Sequence, residues 1–459
     1  MPQTTDQQQA DQQATDQQPA GRAAGGAVPP AAEEVVEIAR DLIRIDTSNY
    51  GDGSGPGERA AAEHVMGLLD EVGLSAELLE SDPGRASVVL RIPGQDRSRG
   101  ALVVHGHLDV VPARAADWSV DPFAGEVRDG CLWGRGAVDM KGMDAMILSV
   151  VRQMTREGRT PPRDLVVAFT ADEEAGSAKG AGFLVETRPD LFEGATEAIS
   201  EVGGFSLDIA GQRCYLLQTA EKGIAWVRLV AHGRAGHGSQ VNDDNAVTRL
   251  AGAVARIGAH RWPLELRPTV RAFLEGVQDV TGEPLDPEDF GALTEVLGTT
   301  ANWVGATLRN TSNPTQLEAG YKHNVIPGTA TALVDCRTLP GQGEHVLEVV
   351  RELAGPGVDV EVVHADTALE TDLEGALPDA MVAALLAEDP GARVLPYCLS
   401  GGTDNKALAR LGIRGFGFAP LQLPPELDFA GMFHGVDERV PTEALRFGTR
   451  VLDRLLRTC

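Results

Sequence analysis

Five stretches of this sequence, around His107, Asp139, the acids 172–174, Glu201 and His434, carry side chains of types that bind metals, and each has an ordinary structural reading as well. In VVHGHLDVVP (residues 103–112) an apolar run ends in His107, two residues before Asp109. A His-x-Asp at the end of a strand suits an imidazole that binds a metal and is steadied by a carboxylate behind it. Taken singly, the pair fits a buried, hydrogen-bonded histidine equally. In WGRGAVDMKG (residues 133–142) glycines bracket Asp139 just ahead of a helical pattern, so backbone can come close there. A glycine-rich turn with a capping aspartate has the same pattern. In TADEEAGS (residues 170–177) three acids follow an apolar run, and like charges so placed raise one another's proton affinity unless a cation or solvent relieves them. A solvated turn and a metal site both fit. Ser200-Glu201 follows another short apolar segment, and Phe433-His434 lies in a polar loop near the end.

The elements around these residues are legible from apolar spacing. Val35, Val36, Ile38, Ala39, Leu42 and Ile43 recur at three- and four-residue steps from Ala31 on, which predicts a helix. A second helix is predicted over 58–72, closed by Gly73. Strands are predicted at 87–92, 101–105 and 165–170, with a helix at 143–156, the pattern of a layered α/β domain. After about Cys214 the texture changes. Residues 223–231 alternate like a sheet with one wet face, followed by a helix at 245–257 and a strand at 324–335. A helix at 345–353 and a strand at 358–363 complete two strand–helix–strand halves, which predict a small open-faced sandwich. Residues 260–300 read as an elaboration within it. The α/β pattern resumes near Leu369, with helices at 378–386 and 442–457. The expected organisation is a disordered Gln-rich tail (1–30), a catalytic domain (31–215 and 366–459) and an inserted domain (216–365).

Composition narrows the classes of partner. The chain has 459 residues, and 40 Lys+Arg against 67 Asp+Glu give a net charge of −27, which argues against nucleic acid. Small anionic ligands remain open, because they answer to a few local cations. No apolar run approaches the roughly 18 residues a membrane span needs. Five scattered cysteines form no C-x-x-C pair, so reduced thiols in a cytoplasmic protein are expected. The N-terminal segment has neither a basic start nor an apolar stretch, unlike a secretory signal.

HGHLDVVP, LWGRGAVDMKG, TADEEAGS, GRAGHGS, HNVIP, SGGTDN and the late His434 occur in one order over about residues 33–457. In this the chain resembles the zinc aminoacylase and carboxypeptidase family that includes acetylornithine deacetylase, succinyl-diaminopimelate desuccinylase, aminoacylase and the glutamate carboxypeptidases. The resemblance implies a zinc-peptidase-like α/β catalytic domain interrupted by a small ferredoxin-like α+β dimerisation or lid domain. It implies that His107 and Glu201 hold one Zn²⁺, that Glu174 and His434 hold a second, and that Asp139 bridges them. Asp109 would orient His107, Glu173 would be the general base, and the peptide after Asp139 would be cis. His237 resembles a histidine that reaches across a homodimer to help bind the oxyanion. Asn324 and Arg337 resemble substrate-binding groups, with Gly401, Gly402 and Thr403 lining the pocket near a substrate carboxylate.

Two divalent cations also fit the chemistry of amide hydrolysis. A pair about 3.5–4 Å apart holds water and carbonyl oxygen together. Imidazole and carboxylate donors without thiolate suit an open zinc site, and Co²⁺ or Mn²⁺ would suit it too. Glu201, where some aminopeptidase and dipeptidase relatives carry Asp, tilts the resemblance toward deacylases and carboxypeptidases. The expected activity is hydrolysis of a small-molecule substrate, an N-acyl amino acid or a short peptide next to its C-terminal residue. The alternatives are a dipeptidase and a catalytically silent zinc-binding relative. No G-x-S-x-G elbow or P-loop is present.

Overall fold

The computed structural model describes residues 30–459 of the chain, so the expected tail lies outside the described residues except for Pro30. A large ten-stranded sheet runs in the order Glu77–Asp82, Arg85–Ile92, Leu165–Thr170, Ala101–His107, Ala195–Ser200, Arg414–Gly417, Gln212–Glu221, Leu369–Glu370. Arg393–Leu399 and Phe205–Ile209 also pair with Gln212–Glu221. The central strands Ala101–His107 and Leu165–Thr170 are buried at every position, as strands covered on both faces must be. Their side chains alternate between two cores. Leu102, Val104, Val167 and Phe169 join the core under helices Ala31–Ile43, Lys141–Arg156 and Thr442–Thr458, while Val103, Val166 and Ala168 join the opposite one, with Leu184 and Leu408.

The second sheet has four antiparallel strands in the order Thr311–Ala319, Thr329–Thr338, Gly223–His232, Val358–Asp366. Numbered along the chain that order is 2-3-1-4, the ferredoxin-like arrangement that was expected. Ala225, Val227, Leu229 and Ala231 point from one strand to a core shared with helices Ala246–Ala259 and Gly343–Ala354. Residues 324–335, expected as one strand, divide: Val325–Ile326 pairs with Gly236–His237, and the sheet strand starts only at Thr329. Pro327 and Gly328 between them turn the chain, which apolar alternation does not reveal.

The chain passes from the large sheet to the small one at Lys222 and returns after Asp366. The two crossings touch at Gly223, where a Cβ would lie 2.5 Å from Thr338 Oγ1 and 2.9 Å from the Ala368 nitrogen.

The elaboration within 216–365 sits where the sequence did not put it. Helices Pro268–Thr281, Phe290–Leu297 and Thr300–Thr307 give Phe273, Leu274, Val277, Leu293 and Val304 to the large core, and the first lies against strand Arg393–Leu399. An amphipathic helix shows that it has an apolar face without showing which sheet covers it. Among the described residues, no helix is long and apolar enough to cross a membrane, and all five cysteines are unpaired.

Candidate metal centre

Strands Leu165–Thr170, Ala101–His107 and Ala195–Ser200 are parallel neighbours, so their C-terminal ends open at one edge of the sheet. That edge receives His107 at the end of its strand, Glu173 and Glu174 in the turn after Thr170, and Glu201 directly after Ser200. Asp139 arrives from the glycine-bracketed loop ahead of helix Lys141–Arg156, through a cis Asp139–Met140 peptide, and His434 from the loop before strand Arg439–Pro441.

The five converge. His107 Nε2 lies 3.0 Å from Asp139 Oδ1 and 3.6 Å from Glu201 Oε2. His434 Nε2 lies 3.3 Å from Asp139 Oδ2 and 3.1 Å from Glu174 Oε2. The two oxygens of one carboxylate thus face two different imidazoles. Glu173 Oε2 lies 4.0 Å from His107 Nε2, in the same group of donors as Glu201.

Burial, and next the Glu201 carboxylate, raise the Glu173 carboxyl well above the usual range. Burial, and next Asp139, push Glu201 up to about 8. Hydrogen bonds to Asp139 and Glu174 push His434 up to about 10. Burial works against protonation of His107, but Glu201, Asp109 and Asp139 outweigh it and raise the imidazole. Crowded carboxylates and imidazoles of this kind are relieved by a cation, and nitrogen and oxygen donors without thiolate fit zinc.

Behind these groups, Asp109 lies against both His107 and the acidic turn. The imidazole Nδ1 lies 3.0 Å from the Asp109 backbone oxygen and 3.5 Å from its carboxylate. The carboxylate accepts the backbone N–H groups of Glu173 and Glu174, both at 3.1 Å, and Asn49 Nδ2 at 2.9 Å. The carboxylate thereby holds the acidic turn, while the Asp109 backbone oxygen is the atom nearer the ring.

Glu438, which sequence reasoning gave no role, joins the two loops that are not on strands. Its Oε1 accepts from the Val138 and Asp139 nitrogens at 2.6 and 3.1 Å. Its Oε2 accepts from Arg135 Nη1 at 2.6 Å and the Gly136 nitrogen at 3.1 Å. Arg135 Nη2 in turn donates to the Gly435 carbonyl at 2.9 Å. In the sequence Glu438 is one of two adjacent acids after His434, and nothing there marks it as the buried one.

A cavity of about 350 Å³ opens over the cluster, and Arg337, Gly401, Gly402 and Thr403 line it. So do Trp303, Phe433 and Lys406, which sequence reasoning missed. Trp303 meets Phe433 edge-on with ring centroids 5.3 Å apart. His237 and Asn324 do not reach this cavity. His237 is exposed and lines a separate hollow at the two-stranded ribbon of Gly236–His237 and Val325–Ile326. It pairs with Val325 beside Asn324, whose buried Oδ1 has no hydrogen-bond partner.

Known proteins match both the sequence and the fold. Aminoacylase-1 of Pongo abelii is 29% identical over 441 residues, covering 92% of this chain and 94% of the relative. The N-fatty-acyl-amino acid synthase/hydrolase of Xenopus tropicalis is 27% identical over 441 residues, covering 90% and 83%. The M20 family metallo-carboxypeptidase of Sulfolobus solfataricus superposes with a TM-score of 0.70 at 17% identity over 93% of this chain and 99% of that one, a likeness of fold. Residues 103–458, well over half of the sequence, match the model of peptidase family M20/M25/M40, and the chain belongs to that family.

Proposed function

We propose that this protein is a dinuclear zinc amidohydrolase that releases a C-terminal amino acid from an N-acyl amino acid or a short peptide. The observation that carries the reading is Asp139, whose two oxygens face His107 and His434 at 3.0 and 3.3 Å. His107 and Glu201 would hold one ion, His434 and Glu174 the other, with Asp139 shared. Bound there, the ions supply Lewis acidity to a carbonyl oxygen and lower the pKa of water.

The chain's own groups do the rest. Asp109 fixes the turn that carries Glu173 through its backbone N–H. Glu173 takes a proton from the attacking water as oxygen adds to the amide carbon, and passes it to the leaving nitrogen as the C–N bond breaks. Trp303 and Phe433 form an apolar wall to the cavity and receive an apolar acyl group or side chain. The identity with aminoacylase-1 and with an N-fatty-acyl-amino acid hydrolase supports a deacylase.

His237 and Asn324 lie outside the cavity of their own chain, and we assign them to the site of a second copy in a homodimer built on residues 216–365. The unpaired cysteines suit a reducing compartment, the cytoplasm.

The test is zinc content together with turnover. The reading requires two ions per chain, loss of N-acetylleucine hydrolysis on chelation and its return with Zn²⁺. A single ion, or no release of amino acid from a panel of N-acyl amino acids and peptides, overturns it.

A further inference from the structure

Trp303 reaches the cavity from a short element. Helix Thr300–Thr307 makes about two turns, and the side chains it gives to the large core, Ala301 and Val304, are small. A helix of that length is marginal by itself, so its placement depends on how its ends are held. Trp303 meets Phe205 and Phe433 edge-on, with ring centroids 6.1 and 5.3 Å apart. Such contacts depend on ring position and angle, and a small rotation of the helix would displace the cavity wall.

The last carbonyls of a helix have no partner within it. Here they are met by a residue from the crossing between the two sheets. Lys222 Nζ donates to the Ala306 carbonyl, in the last turn, and to the Arg309 carbonyl just beyond it, both at 2.8 Å. Trp303 lies three residues before Ala306, less than one turn away.

Lys222 is held firmly at its own end. Its backbone N–H donates to the Leu399 carbonyl of the large sheet at 2.9 Å, and its side chain is fully buried. The side chain thus runs from the large sheet to the end of the helix that bears Trp303. The opposite end of that helix is tied at the surface, where Thr299 Oγ1 donates to Asp428 Oδ1 at 2.8 Å. A buried lysine that caps carbonyls is an ordinary stabilising device. This one differs in that the element it caps presents a wall of the cavity.

We propose that Lys222 is a positioning residue that sets the place of Trp303, and through it the fit of the substrate's apolar acyl group or side chain. The assignment rests on the amidohydrolase reading above.

The test compares zinc-loaded wild type, Lys222→Met, Trp303→Ala and the double variant on N-acetylphenylalanine and N-acetylglycine. Lys222→Met should raise KM for N-acetylphenylalanine by about three- to tenfold, up to the loss of the aromatic contact itself. Its kcat, and its KM for N-acetylglycine, should stay within twofold of wild type. Because Lys222 acts through Trp303, the double variant should show the KM of Trp303→Ala alone, whereas independent roles would multiply. A second readout needs no turnover. The fluorescence of Trp303, taken as the difference between each chain and its Trp303→Phe form, should be quenched at least twofold more steeply by acrylamide in Lys222→Met. Lys222→Gln, which keeps two N–H donors on a shorter stem, replaces the methionine variant if that one does not fold and should shift KM and quenching in the same directions. Equal KM changes on both substrates, multiplied effects in the double variant, or unchanged quenching of Trp303 overturns the assignment. A wild type that hydrolyses neither substrate overturns the amidohydrolase reading, and the quenching comparison then decides whether Lys222 places Trp303.

Discussion

Replacing Glu438 with glutamine tests whether one carboxylate holds together the two loops that carry Asp139 and His434. The acid is fully buried and accepts four hydrogen bonds, from Arg135 and from the nitrogens of residues 136, 138 and 139. Glutamine keeps one acceptor oxygen and must turn its NH₂ toward a pair of donors. Two donors are then orphaned at about 1–3 kcal/mol each. Whichever end of the amide faces Arg135, that buried guanidinium, 3% exposed, also loses its counter-charge. Breaking a buried pair in this way costs about 3–5 kcal/mol. The expected result is a loss of about 3–5 kcal/mol of unfolding free energy for the metal-free chain in urea, with the slope unchanged. Because the Asp139 nitrogen is among the four donors, zinc affinity measured against a chromogenic chelator should also fall, by about tenfold or more. Glu443→Gln, at a surface pair with Arg446 on the final helix, is the control and should stay within about 0.5 kcal/mol. A loss below about 1 kcal/mol, or lost stability with zinc affinity intact, would refute the idea that Glu438 positions the metal loops.

Glu173→Gln should retain both zinc ions by elemental analysis while kcat falls by about 10²–10⁴-fold; a variant within tenfold of wild type removes Glu173 as the proton carrier. Trp303→Ala should raise KM for N-acyl substrates with large apolar groups by about 10-fold, the value of a lost aromatic contact, and leave N-acetylglycine nearly unchanged. An equal effect on both substrates would show that Trp303 supports the fold alone. Burial pushes the Lys222 ammonium down to about 7 from its usual 10.5. Between those two pH values the unfolded chain binds the extra proton, so this group's contribution to stability rises with pH across the window. The unfolding free energy of wild type minus that of Lys222→Met should therefore rise from pH 7 to pH 10, and a constant or falling difference in urea titrations would count against the buried ammonium.

Much of this architecture was readable from spacing, and what escaped did so for physical reasons. The strands near 87–92, 101–105 and 165–170 are continuous apolar runs because both sheet faces are covered, and continuous runs survive without any knowledge of partners. Three ligand positions follow from them, since parallel neighbouring strands must deliver His107, Glu174 and Glu201 to the same edge. Asp139 and His434 sit on loops, and the device that joins those loops, Glu438 with Arg135, is a pairing of polar residues some 300 positions apart. Local pattern carries no trace of such a pair. Strand Glu77–Asp82 was missed because it lies at the sheet edge with mixed exposure, so its alternation is weak. Helices Pro268–Thr281 and Thr300–Thr307 show their apolar faces in sequence, but a face does not name the sheet that covers it. Trp303 consequently stayed invisible as a cavity residue.

The division between the two sheets separates metal binding from substrate selection. His107, Glu174 and Glu201 follow strands of the large sheet, Asp139 and His434 sit on loops beside a three-stranded sheet of Glu126–Arg128, Cys131–Trp133 and Arg439–Pro441, and none of the five lies on the small sheet. The small sheet contributes Ile224, Trp226, Arg337 and His364 to the cavity. With Asp366, which also lines it, these are cross-strand neighbours, Ile224 lying between Arg337 and Asp366 and Trp226 opposite His364. They form one rigid patch at the end of the sheet next to the chain crossing at Lys222. A shift of the small sheet about that crossing would move the patch as a block and change the width of the cavity while the distances between His107, Asp139 and His434 stayed as they are. The Lys222 carbonyl, the hydrogen-bond partner of Lys406, sits at the crossing itself. Substitutions on the small-sheet patch should accordingly act on KM with zinc affinity untouched, and substitutions at Asp109 or Glu438 should act on zinc first.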